Sequence, residues 1–229
     1  MDYEKNLKYF KSTDTHYYIG LPIFILGVIL FALGYIFWTY LFPYQDILGI
    51  VLTVIGAAIA FIPPSLRSSE KDIDEAVAVM TKDYEKETAE TLGLTSRLAK
   101  EAKPLLVGAY TYADGTLYRR GKTDRKFRSD RYAAAALIFT KNGMCISEKR
   151  FSLTENAVEE ELKEFPFSDI DGIAVETAEH LFANGEKAKT AYLSVIANGK
   201  ALHTIPVTQN AALDKLCEDV DMLIRRTKK

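Results

Sequence analysis

Seven basic residues crowd the stretch "RRGKTDRKFRSDR", residues 119–131, against two aspartates. The whole chain carries a formal charge of −2, so this is a local excess. Guanidinium and ammonium groups at this density suit anions, and arginine adds two-pronged contacts to carboxylate or phosphate. Arg119, Arg120, Arg125, Lys126 and Arg128 are the candidate anion contacts. The same composition also suits a solvated, charged loop, and the residues alone leave both readings open.

No other residues form a pattern that works on bonds. The three histidines, His16, His180 and His203, are isolated from one another. His203 alternates with Leu202 and Thr204, which suits a strand histidine at the surface or with its bonds satisfied internally. Cys145 and Cys217 are the only cysteines, too few and too far apart for a metal motif or a disulfide framework. Cys217 falls in line with Leu213, Leu216 and Val220 and reads as a small core residue. Metal-binding His-x-x-x-His and Cys-x-x-Cys, the Gly-x-Ser-x-Gly elbow and a glycine-rich phosphate loop are all missing from the sequence. Glu159, Glu160 and Glu161 read as a solvated acidic loop. These observations predict no catalytic residue, no metal, no cofactor and no nucleic-acid partner: a protein that is not an enzyme.

The elements that must position the basic tract fall into two modules. From Ser12 to Leu66 the 229-residue chain has no lysine or arginine, whereas beyond Arg67 it is charged and alternating. The expected divisions are 1–66, holding an N-terminal segment and a transmembrane hairpin, 67–103, a helical connector, and 104–229, a β-domain. The spans are placed at about 18–38 and 45–62, the second short and stopped by Pro63-Pro64, against a hydrocarbon thickness of about 30 Å. Tyr17, Tyr18, Trp38, Tyr40, Phe42 and Tyr44 are interfacial anchors. Lys5, Lys8 and Lys11 precede the first span, Arg67 and Lys71 follow the second, and the connection carries only Asp46. The positive-inside rule then puts both termini in the cytoplasm of a two-span protein of the cell membrane. Gly20, Gly27 and Gly34 recur every seven residues, as do Gly49 and Gly56, which predicts close helix packing. That packing serves either a hairpin within one chain or a homo-oligomer.

Beyond the spans, Ile73, Ala76, Val77, Met80 and Tyr84 share one face of a helix starting near Glu70. Gly93 interrupts it, and Thr95 or Ser96 caps a second short helix before Pro104. Its apolar face packs either on the adjacent domain or on a second copy. From Leu105 the period becomes two. Candidate strands are 105–113, 116–120, 131–141, 144–152, 162–168, 172–182, 189–197 and 200–207. They are punctuated by Asp114-Gly115, Asn142-Gly143, Asp171-Gly172, Asn184-Gly185 and Asn198-Gly199, dipeptides suited to type I′ turns. A closing helix, 210–227, carries Leu213, Leu216, Val220, Leu223 and Ile224 on one face.

A meander of about seven strands closed by one amphipathic helix resembles the pleckstrin-homology-like (PH-like) fold, and bacterial PH-like domains in particular. The matching pieces are "LIFTKNGMCIS" (137–147), "FPFSDIDGIAV" (165–175) and "YLSVIANGKALHTIPV" (192–207), with Met144 and Cys145 departing from the pattern. The likeness covers about residues 104–227 and implies an α+β cytoplasmic domain, an antiparallel sandwich or barrel. Lys126-Phe127-Arg128 echoes the basic-x-Arg pattern of phosphoinositide binders in that fold. The resemblance thus implies a membrane-anchored binding or scaffold protein whose partners are membrane lipids or another protein. In layout alone the chain also resembles two-span β-barrel effectors of bacterial anti-phage defence. That alternative makes the β-domain a sensor of a nucleotide or other anion and the spans an assembling membrane device.

Overall fold

In a computed structural model, residues 1–12, 15–37, 44–95, 98–99 and 103–228 are described. The chain divides into two compact units, Asp2–Asp72 and Ile73–Lys229.

The first unit opens with a helix not anticipated from the sequence, α1 (Tyr3–Lys11). Asp2 caps it, its carboxylate accepting from the Lys5 amide at 3.1 Å, which satisfies one of the orphan donors of a helix start. Two longer helices follow, α2 (Thr15–Phe37) and α3 (Gln45–Ser65). Both are long and apolar enough to cross a membrane, rising about 34 and 31 Å at 1.5 Å per residue. The expected helix end at Pro63-Pro64 is corrected: α3 continues through both prolines to Ser65. Proline's fixed φ fits a helix, and backbone groups freed by it are re-satisfied by local adjustments. At the helix end the Ser65 hydroxyl donates to the Ile62 carbonyl at 2.7 Å, a bond of the last turn rather than of the groups the prolines free. Of the expected anchors, Trp38, Tyr40 and Phe42 lie outside the described residues, and Tyr44 is exposed.

α2 and α3 pack on each other through their glycines. A Cβ on Gly20 would sit 2.6 Å from the Ala60 amide nitrogen, and one on Gly56 only 2.3 Å from that of Phe24. Gly27 meets Thr53, and Gly49 meets Phe31, as closely. Gly34 is half-buried. The loop after α3 is tied to α1: Ser68 donates to the Asn6 side chain at 2.6 Å and Arg67 to the Ser12 hydroxyl at 2.6 Å.

The second unit starts within α4 (Glu70–Thr81), which is followed by α5 (Tyr84–Thr91). The expected single face through Tyr84 is broken at Asp83, whose φ is +55°. That break turns the Tyr84 hydroxyl to within 2.9 Å of Ser147 Oγ. The second short helix expected after Gly93 falls partly on residues 96–97 and 100–102, outside those described. Leu98, beside them, bridges to Thr140.

Nine strands lie among the described residues, where about seven were expected. β1 (Leu105–Tyr110), β4 (Arg131–Phe139), β5 (Gly143–Ser152) and β6 (Val158–Pro166) form one antiparallel sheet in the order β1-β4-β5-β6. β2 (Tyr118–Arg120) and β3 (Phe127–Ser129) form a hairpin between β1 and β4. β7 (Gly172–Leu181), β8 (Lys187–Ala197) and β9 (Lys200–Val207) make a third antiparallel sheet, and α6 (Ala211–Thr227) follows. The sheets do not close into a barrel. The acidic loop expected at Glu159–Glu161 is instead strand. Arg150 and Lys149 stand opposite Glu159 and Glu160, and Lys149 Nζ reaches Glu160 at 3.6 Å. Opposite charges across a ladder stabilise it, so an acidic run can be extended where its neighbour is basic. Of the five turn dipeptides, only Asn198-Gly199 has both φ values positive, the type I′ requirement.

The core lies between the sheets and under α6. Leu137, Phe139, Ile146, Leu193 and Ile205 are each at most 1% exposed, and α6 adds Leu213, Leu216, Val220 and Leu223 as its pattern predicts. Asn210 caps α6, its side-chain oxygen accepting from the Leu213 amide at 3.0 Å. Cys217 packs against the same core. The run Ala133–Ala136 is covered on both faces. One face joins the main core through Ala135, and α5 packs against β4 on the other, where Ala89 meets Ile138 and Cys145. Of the connector, α5 packs on the β-domain, and from the expected face Tyr84 reaches it through Ser147.

Candidate anion-binding site

The basic tract is an ordered hairpin. Tyr118 pairs with Ser129, Arg119 with Arg128 and Arg120 with Phe127. The turn is closed by the Gly121 amide donating to the Lys126 carbonyl at 2.8 Å, and Arg125 takes a left-handed φ of +59°. Aromatic contacts hold the hairpin down. The Tyr118 ring stacks on Phe182 at 3.8 Å, and Phe127 and Tyr112 approach the same ring at 5.2 and 5.4 Å. The Tyr112 hydroxyl donates to the Phe127 carbonyl at 3.0 Å.

Pairing of alternate residues to opposite faces then splits the candidates. Arg128 turns inward and is 2% exposed. Its Nε and Nη2 donate to both Asp74 oxygens at 2.8 and 2.7 Å, and Nη1 and Nη2 to both Asp124 oxygens at 3.2 and 2.7 Å. The Tyr110 hydroxyl donates to Asp74 at 3.1 Å. The Arg128 bonds bring the Asp124 carboxyl down to about 2. Burial alone would raise the Asp74 carboxyl, but the Arg128 bonds and charge outweigh it and hold it below its ordinary value. Arg128 is thus a clamp between α4 and the hairpin turn, not a surface contact.

The other candidates remain on the outside to different degrees. Arg119 is half-buried. Arg120 is exposed but engaged, with Glu186 at 3.4 Å and its guanidinium 5.3 Å from the Phe127 ring centre. Arg125 and Lys126 are exposed at the tip, as is Lys122, which was not among the five candidates. Arg131 pairs with Glu155 at 3.6 Å. Lys122, Arg125 and Lys126 stand at the tip beside Asp124, whose carboxylate shares Arg128 with Asp74, so the tip presents three exposed cations against one exposed acid.

A second charged cluster escaped the sequence reading. Glu148 on β5 is 2% exposed and accepts from Arg150 Nε and Nη2 at 2.8 and 3.0 Å. His203 Nε2 lies 3.4 Å from its other side, and Lys163 Nζ lies 3.1 Å from His203 Nδ1. Burial pushes the Glu148 carboxyl up, but His203 and Arg150 outweigh it and the carboxyl is held low. His203 is therefore the satisfied histidine its pattern allowed. The signal was available: Glu148 continues the period-two line of Met144 and Ile146, both core residues. The network has its partners in place and reads as structural. Cys145 is also inert, since burial raises its thiol to about 11 and the thiolate is the reactive form. Among the described residues, no three His, Cys, Asp or Glu side chains gather to hold a metal.

Together these features define a class: two helices long and apolar enough to span a membrane, joined to an antiparallel β-domain that ends in a helix. Compared with known proteins, the chain matches no family model, no curated protein and no solved structure.

Proposed function

We propose that the protein is a membrane-anchored, non-enzymatic binding module whose β2–β3 tip engages anionic lipid headgroups. The observation that carries the reading is the tip itself. Lys122, Arg125 and Lys126 are exposed on a hairpin anchored by Phe182 and Arg128, three cations against the one acid of the tip, Asp124, which already accepts from Arg128. Each basic residue close to anionic lipid contributes on the order of 1 kcal/mol. A domain tethered beside a bilayer needs few such contacts, because the tether raises the effective concentration of lipid.

The strand order supports a PH-like reading of the domain. A four-strand meander, a three-strand meander and a closing helix follow in sequence, with the basic hairpin inserted between the first two meander strands. The bonds tying α1 to Arg67 and Ser68 gather Lys5, Lys8, Lys11 and Arg67 at one end of the hairpin, which supports cytoplasmic termini. A reporter active only outside the cell, fused after Lys229, is then silent. Gly20, Gly27, Gly49 and Gly56 already pack within one chain. A gated assembly of spans would therefore need other faces, and the anchored module is the better supported reading.

The test uses the full chain in phosphatidylcholine nanodiscs with phosphatidylserine vesicles as probe. Binding is expected at low salt and release at high salt, since exposed charges are screened over about 8 Å at physiological ionic strength. Replacing Lys122, Arg125 and Lys126 together by serine abolishes binding and moves stability by no more than about 0.5 kcal/mol, as for surface changes generally. A variant that binds as well as the parent sinks the proposal.

A further inference from the structure

β6 is the outer strand of its sheet. It pairs with β5 from Val158 to Pro166 and, among the described residues, with no strand on its other side. Seven of its nine residues are exposed. An open edge of this length presents a row of unmatched N–H and C=O groups, which natural proteins shorten, bulge, cover or arm with charge. β6 pairs with β5 without a register shift and takes the last course, which repels like strands and leaves the edge open to a segment of opposite charge.

That charge is arranged by the pleat. Phe165 and Lys163 lie on the side of the sheet that faces the main core, because Phe165 pairs with Met144 and packs against that core. Val158, Glu160, Leu162 and Glu164 fall on the opposite side, and Val158 and Leu162 are 44% and 46% exposed. This side therefore reads apolar, acidic, apolar, acidic along an open backbone edge. A second copy laid antiparallel about Leu162 would set Glu160 against Glu164 twice and Glu161 against Lys163 twice, so repulsion and attraction offset each other, whereas a basic segment meets an excess of four glutamates over one lysine.

We propose that β6 is a docking edge for an extended basic segment of another protein, added as a fifth strand to the β1-β4-β5-β6 sheet. Backbone bonds hold the segment. Lysine or arginine stands opposite Glu160 and Glu164, and an apolar side chain stands opposite Leu162. Strand addition of this kind takes its affinity from the main chain and its selectivity from alternate side chains. The edge is separate from the β2–β3 tip, so this inference stands or falls without the lipid reading.

Hydrogen exchange on the full chain in phosphatidylcholine nanodiscs tests it. The probe is a nine-residue peptide with lysine, valine and lysine at alternate positions and threonine between them. One control carries glutamate for lysine; the other keeps lysine but is N-methylated at alternate backbone positions, removing donors without changing charge. The lysine peptide should slow exchange along residues 158–166 on the order of tenfold, and neither control should. Glu160→Lys with Glu164→Lys should weaken the lysine peptide by a similar factor. Equal protection by the methylated or the glutamate peptide, or protection that bypasses β6, overturns the proposal. So does protection of β6 that is present without peptide and lost on dilution, which would make a second copy the occupant.

Discussion

The seam between α2 and α3 and the alanine run of β4 look alike in sequence and work differently. In both, small residues let backbones approach: glycines against Ala60, Thr53, Phe31 and Phe24 in the hairpin, Ala133–Ala136 between α5 and the main core in the β-domain. Lipid tails are as apolar as leucine, so helices in a bilayer gain little by burying side chains and depend on close contact. In water, burial of apolar area is the main driving force, and alanines supply little. β4 compensates by continuing into Leu137, Ile138 and Phe139, all fully buried. A stripe of small residues therefore marks close approach in either solvent, but only in water must large neighbours carry the stability.

That contrast breaks most severely where the β-domain stores its burial. Leu216→Asp places an unpaired charge under α6 and is expected to cost about 4 kcal/mol or more. A fall in the thermal midpoint of the full chain checks it; an unchanged midpoint would mean that α6 does not cover the core. Arg128→Met comes next, at about 3 kcal/mol, because it strands Asp74 and Asp124 without their shared partner. Both carboxylates keep some contact with solvent, which places the loss at the lower end for a buried pair. Hydrogen exchange should show the hairpin turn and α4 loosening together.

In the α2–α3 hairpin the same logic predicts harm from adding a group. Gly56→Ala is expected to cost about 2 kcal/mol by overpacking, since its methyl would sit 2.3 Å from the Phe24 nitrogen. Cross-linking between cysteines placed on α2 and α3 should fall. Undiminished cross-linking would show that the glycines serve some other contact. The smallest effect is electrostatic. Asp124 has its pKa lowered from 3.8 to about 2, so its ionised form stabilises the fold. That contribution is complete above 3.8 and is lost as the pH falls toward 2. Asp124→Asn, which cannot ionise, should show a flatter thermal midpoint across that window than the parent.

Legibility followed the physics of each element. The two long apolar helices were plain from their uncharged length, and the closing helix and most strands from the period that burial imposes on the residues that undergo it. β3 and the start of β6 were missed, because charged strands carry no apolar period. Glu159–Glu161 are extended through the cations on β5, a neighbour that sequence order does not reveal. The site divided in the same way. That the basic tract could meet an anion was readable from composition, but which arginines face outward was not.

By itself the sequence determined two apolar helices, their glycine seam, a turn-punctuated β-region and the face of α6, all of which depend on local pattern and solvent. Only the tertiary structure decided that Arg128 is a buried clamp while Lys122, Arg125 and Lys126 stay outside. The reason is geometric. Arg128's partners are Asp124, four residues away, and Asp74, fifty-four residues away on another element. A charge is driven inward only where folding assembles enough acceptors to replace its water.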